Sequence, residues 1–159
     1  MRVALRIALP VVLALGLASL PALAAGRQEK AQPAGSARPQ AGSQPVPPYH
    51  ASAAAARPLP RTMPASDFRD RPLVARAYQI ASEIPAVLAQ QPCYCHCDRE
   101  FGHTSLLDCF TSTHTAGCGI CMGETFFTYQ MTREGKSPAA IRQAIIRGDW
   151  KTAHVDPFK

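Results

Sequence analysis

Beyond its first two dozen residues, this 159-residue chain has no long apolar run and no stretch that alternates apolar and polar residues. It has one tryptophan and only 11 acidic side chains. Each absence removes a class of function. Without period-two alternation a sheet has no support, so the expected fold class is all-α. No paired carboxylates, no Ser-His-Asp set and no glycine-rich phosphate loop can be found, so enzymatic turnover has little support. A nucleic-acid footprint needs a basic face with interleaved aromatics, and none is visible. The formal net charge of +6 belongs to the N-terminal part: from Asp67 to Lys159 ten basic residues face ten acidic ones.

The N-terminal residues carry an address. Arg2 and Arg6 precede an apolar run from Ile7 to Leu20, and Ala22 and Ala24 form a small-x-small cleavage site. That is the pattern of a secretory signal peptide, expected over 1–24. The run is shorter than the ~20 residues a membrane-crossing helix needs, so no transmembrane span is expected. No cysteine follows the cleavage site, so the expected product carries no lipid anchor and resides in the periplasm or outside the cell, where disulfides are permitted. Residues 25–66 are built from Ala, Pro, Gln, Gly, Ser and Arg with few larger apolar groups. This composition predicts a disordered linker.

The remaining residues, 67–159, read as a small irregular bundle of about four short helices. Asp70 and Pro72 open the first, with Leu73, Ala77, Ile80, Ile84 and Val87 at helical spacing and a bend or restart at Pro85. A second is expected over Ser105–Phe110. The third runs from Gly119, carrying Ile120, Phe127 and Met131, to a stop at Gly135. Ser137 and Pro138 open the fourth, with Ile141, Ala144 and Ile145 inward and Gly148 as its stop. So few helices give a thin core, and domains of this size often lean on metal or disulfide cross-links.

All six cysteines lie in the middle of that domain: CxCxC at Cys93, Cys95 and Cys97, then Cys109, then CxxC at Cys118 and Cys121. A disulfide scaffold fits the even count and the exported address. It would require three bridges to leave one five-residue loop in diverging directions. A metal site fits better, because a CxC loop can turn successive thiolates toward one ion and CxxC at a helix start places two sulfurs where the helix dipole favours thiolate. Sulfur-rich donors suit soft or borderline ions, and the spacing matches no common zinc finger, which favours Cu(I) over Zn(II). Thiol-disulfide exchange is the third account, but no strand precedes Cys118 to build the βαβ setting of such enzymes.

Among neighbouring residues, His103 is a candidate ligand, with a helix cap or a hydrogen bond to a cysteine carbonyl as its plainer role. His114 reads as solvated in a polar loop and His96 as pointing away from its cysteine neighbours. Met122 serves equally as core contact or thioether ligand. Phe126, Phe127 and Tyr129 read as core and core rim, while Tyr94 and Phe101 would shield the sulfurs from water.

The segments QPCYCHCDREFGHTSLLDCF and CGICMGETFFTYQMTREGKSPAAIRQAI resemble the bacterial exported proteins named for a PCYCGC motif, over about Ala77 to Trp150. The resemblance brings no established activity. The chain departs from the motif at His96, where the family has Gly, and lacks the lipidated cysteine that many members carry. The reading is therefore an exported metal-binding protein with Cys93, Cys95, Cys97, His103, Cys109, Cys118 and Cys121 as ligands. Its expected partner is a metal donor or acceptor protein in the envelope. A disulfide-stapled interaction module and a thiol-disulfide oxidoreductase stand as alternatives.

Overall fold

The computed structural model describes residues 45–152. The expected signal peptide, residues 25–44 of the expected linker, and 153–159 lie outside the described residues. The fold is all-α, with no strand among the described residues. No helix among them is long and apolar enough to cross a membrane.

Helix α1, Pro72–Glu83, starts on the expected proline and buries Val74, Ala77, Tyr78, Ile80 and Ala81. Asp70 does not cap it; Arg71 occupies that position, without a side-chain cap. The chain breaks at Ile84 and restarts as α2, Pro85–Leu88, because Pro85 has no N–H to continue the ladder. A single turn, α3, spans Asp98–Phe101 and ends on left-handed Gly102. The segment expected as a second α-helix is a 3₁₀ helix, Leu106–Phe110, and a further 3₁₀ helix follows over Thr113–Gly117. Helix α4, Gly119–Arg133, closes at Gly135, whose φ is 76°. There Gly135 N–H donates to the Thr132 carbonyl and Lys136 N–H to that of Met131, both at 3.0 Å, which is the hydrogen-bond pair of a Schellman stop. Helix α5, Pro138–Arg147, is capped by Ser137 Oγ, which accepts from Ala140 N–H at 3.2 Å, and stops at left-handed Gly148. Its buried residues are Ile141, Ala144 and Ile145, as expected.

The main core forms where α1 meets α4 and two 3₁₀ helices, Ala65–Phe68 and Leu106–Phe110. Phe68 stacks on Tyr78 at 4.2 Å between centroids, and Tyr78 meets Phe110 edge-on at 5.1 Å. The Tyr78 hydroxyl donates to the Ser112 carbonyl at 2.6 Å, so the one polar atom of this stack is satisfied.

Two expectations need correction. The face α4 buries is Cys121, Glu124, Thr125, Phe126 and Thr128, whereas Ile120, Phe127 and Met131 are half-buried. Thr128 can be buried because its hydroxyl donates to the Glu124 carbonyl at 2.7 Å. Residues 45–66 of the expected disordered linker lie on the helical domain. Pro47 and Ala56 are buried, Leu59 and Met63 pack against the core, His50 N–H donates to the Ala89 carbonyl at 3.0 Å, and Met63 N–H to that of Phe110 at 2.9 Å. Buried Pro47 and Ala56 make this contact together with Leu59 and Met63.

Candidate metal centre

The CxCxC segment is held at both ends and in its middle. Just before it, the fully buried Gln91 donates from Nε2 to the carbonyls of Val87 (3.0 Å) and Pro138 (3.3 Å), and its own carbonyl accepts from Leu106 N–H at 2.9 Å. Tyr94 N–H donates to Glu124 Oε1 at 2.9 Å, tying the loop to α4. A turn is closed by His96 N–H donating to the Cys93 carbonyl at 3.2 Å. His96 follows with φ of 57°, and Cys97 then leads into α3. Turning back rather than extending is what allows sulfurs two residues apart to face one another: Cys93 Sγ and Cys95 Sγ lie 3.3 Å apart.

The other cysteines arrive from two directions. Asp108 accepts from both the N–H (2.6 Å) and hydroxyl (2.8 Å) of Thr104, fixing the stretch that presents His103 and Cys109. Cys118 caps α4 and Cys121 lies in its first turn, where aligned N–H groups favour thiolate. Thr115 Oγ1 donates to the Cys109 carbonyl at 2.7 Å, joining the two approaches.

All six cysteines are free thiols. Cys93, Cys97, Cys109 and Cys121 are buried; Cys95 and Cys118 are half-buried. Cys93 to Cys121 is 3.4 Å, Cys121 to Cys95 is 3.5 Å and Cys97 to Cys109 is 3.2 Å. These separations are contacts, well beyond the bond of about 2.05 Å in a disulfide. His103 Nδ1 lies 3.0 Å from Cys97 Sγ and 3.4 Å from Cys109 Sγ. His114 Nε2 lies 4.0 Å from Cys95 Sγ.

Two sets of four donors close to within 4.8 Å: Cys93, Cys95, Cys97 and Cys109, and Cys95, Cys109, His114 and Cys121. His103 touches two sulfurs of the first set. Cys118 stands outside both sets, with its thiol coupled to Cys121 and Cys95. The histidine that sequence reasoning passed over is His114. The 3₁₀ turn over Thr113–Gly117, started by Ser112 Oγ accepting from His114 N–H at 3.3 Å, brings it to the sulfurs. Its position four residues before the CxxC pair was the available signal. Met122 packs against the core. His96 turns toward Asp98, with Nδ1 3.9 Å from Oδ1.

The protons of this network are unequally shared. Cys95 accepts from Cys109 and from its other sulfur neighbours, which pulls its thiol far down. Cys121, accepting from Cys109, Cys118 and Cys93, is pulled down to about 4. Cys93 and Cys109, hydrogen-bonded above all to Cys109 and Cys121 respectively, and Cys118, hydrogen-bonded above all to Cys121, are pushed up. Sulfurs this close disfavour one another's ionisation, and a cation among them would favour it. Glu124, fully buried beside Cys93, is pushed well above the usual carboxylate range by desolvation, and its Oε2 has no hydrogen-bond partner.

An open cleft of about 380 Å³ reaches this cluster, lined among others by Cys95, Cys97, His114 and Cys118. Phe101, 58 % exposed, stands at its edge, its ring 4.8 Å from that of His114 and 5.7 Å from that of His103. It therefore covers the histidines more than the sulfurs.

A family model described as a protein of unknown function with PCYCGC motif matches residues 49–159. The chain belongs to this family. No curated protein and no solved structure matches it. The PCYCGC match includes the segment from Tyr49 that packs on the helices, which agrees with its place in the domain. The geometry also accounts for the motif's glycine: this chain has His96 there, in the left-handed region that glycine adopts without strain.

Proposed function

We propose that this PCYCGC-family chain is an exported metal-binding protein that holds a soft transition metal, Cu(I) in preference to Zn(II), for storage, delivery or detoxification in the envelope. The observation that carries this reading is the convergence of six unbonded sulfurs and two imidazoles from the CxCxC loop, the Leu106–Phe110 helix, the Thr113–Gly117 turn and the start of α4. Thiolate-rich donors with imidazole suit soft and borderline ions, and a bound cation would offset the charge that several close thiolates otherwise impose. The ligands come from among Cys93, Cys95, Cys97, Cys109, Cys118 and Cys121, with His103 and His114 as the nitrogen donors within reach. A donor or acceptor protein would exchange the ion through the cleft beside Cys95 and Cys118.

The arrangement does not favour a thiol-disulfide oxidoreductase. That chemistry needs one exposed thiol of depressed pKa. Of the CxxC pair, Cys121 is depressed but fully buried and Cys118 is pushed up, while the depressed Cys95 at the cleft sits among several sulfurs, 3.3 Å from Cys93 and 3.5 Å from Cys121, rather than beside one resolving partner. The test is elemental analysis of protein purified from its own envelope without added metal. Stoichiometric copper is expected; material free of any transition metal contradicts the proposal.

A further inference from the structure

Eight donors are more than one ion takes, since thiolate-bound zinc is four-coordinate. The way these donors group is informative. The two sets of four are not separate: each contains both Cys95 and Cys109. Two donors on one thiolate-bound ion lie up to about 4.6 Å apart, twice a bond of about 2.3 Å. A set already closed to within 4.8 Å therefore needs only tenths of an ångström of adjustment. A thiolate sulfur has lone pairs enough to bind two ions at once.

We propose that the centre is dinuclear, its two ions bridged by the Cys95 and Cys109 thiolates. Cys93 and Cys97 complete one ion's set; His114 and Cys121 complete the other's. This deepens the metal-binding reading and rests on it. The two shared sulfurs differ in environment: Cys109 is fully buried, while Cys95 is half-buried and lines the cleft. One bridge is thus anchored in the core, and the other faces the route by which ions enter. His103, in contact with Cys97 and Cys109, steadies the sulfurs of the first set. Cys118 remains at the cleft as an additional thiol beside Cys95 and Cys121, placed to hand an ion inward.

The test adds ¹¹³Cd(II), a thiolate-seeking probe, to the reduced metal-free full-length protein without oxygen. Native mass spectrometry is expected to give two ions per chain, and ¹¹³Cd NMR two resonances split by coupling through the shared sulfurs. Saturation at one ion, or two resonances without mutual coupling, overturns the dinuclear proposal and leaves the metal-binding reading standing. Failure to bind Cd(II) at all overturns both. Cys95→Ser, with folding checked by circular dichroism, leaves the Cys109 bridge and is expected to reduce the coupling, and adding Cys109→Ser is expected to abolish it; coupling unchanged in the single variant, or persisting in the double one, contradicts the proposal. Should Cys95→Ser not fold, His114→Ala serves: it is expected to weaken one ion and leave the other, and equal weakening of both contradicts the two-set assignment.

Discussion

The part of the domain around α5 and the part between Cys93 and Cys118 are built by different means. Helix α5 has a serine cap, a proline in its first turn, three inward aliphatics and a glycine stop. The Cys93–Cys118 stretch has no helix longer than five residues and is held by a few hydrogen bonds that Gln91 and Thr115 donate or accept and that the Glu124 and Asp108 carboxylates accept. Burial of apolar surface suffices for the first. The second gathers thiols and imidazoles at contact distances, an arrangement that a bound cation stabilises and that like-charged thiolates oppose.

Breaking the apolar side should give the largest effect. Ile141→Ala removes a fully buried side chain of α5 and should cost about 2–5 kcal/mol. Chemical denaturation of metal-loaded and metal-free protein should show a similar loss in both. Removing metal comes next. An ion at a thousand times its dissociation constant adds about 4 kcal/mol, and hydrogen exchange after chelation should show the amides of 93–118 losing protection while those of α5 keep theirs. Uniform loss across both regions would abolish the distinction drawn between them.

Glu124→Gln sharpens the contrast through pH. The folded carboxyl holds its proton above the unfolded value of about 4.3. Stability from that proton is full below about pH 4.3 and is lost as pH rises toward the folded pKa. In metal-free protein the variant should therefore gain on the native chain as pH rises above 4.3, while its Oε1 still accepts from Tyr94 N–H. A difference constant with pH would contradict the assignment of a buried neutral acid. The smallest effect is expected at His96. A β-branched side chain is poorly tolerated at its left-handed backbone, so His96→Val should lose about 1–2 kcal/mol, whereas His96→Gly should stay within about 1 kcal/mol of the native chain.

The same contrast explains what the sequence revealed. Helix α5 was legible residue by residue because its cap, stop and apolar face are local signals. The restart at Pro85 was legible for the same reason. The buried face of α4 was not, because hydropathy selects Ile120, Phe127 and Met131, while the sulfur cluster draws Cys121 and Glu124 inward. The packing of residues 45–66 was hidden by a composition of alanine and proline that ordinarily marks an unfolded linker. At the site, the clustering of six cysteines in sequence pointed to chemistry, but the place of His114 depends on a 3₁₀ turn that no periodicity announces.

Counting accessible thiols tests the central claim most directly. Protein isolated natively and treated with an alkylating reagent should show its cysteines protected, and a chelator alone, without reductant, should expose all six. If the sulfurs are released only by a reductant and a chelator exposes none, they are joined in disulfides, and the account of a thiolate metal centre is wrong.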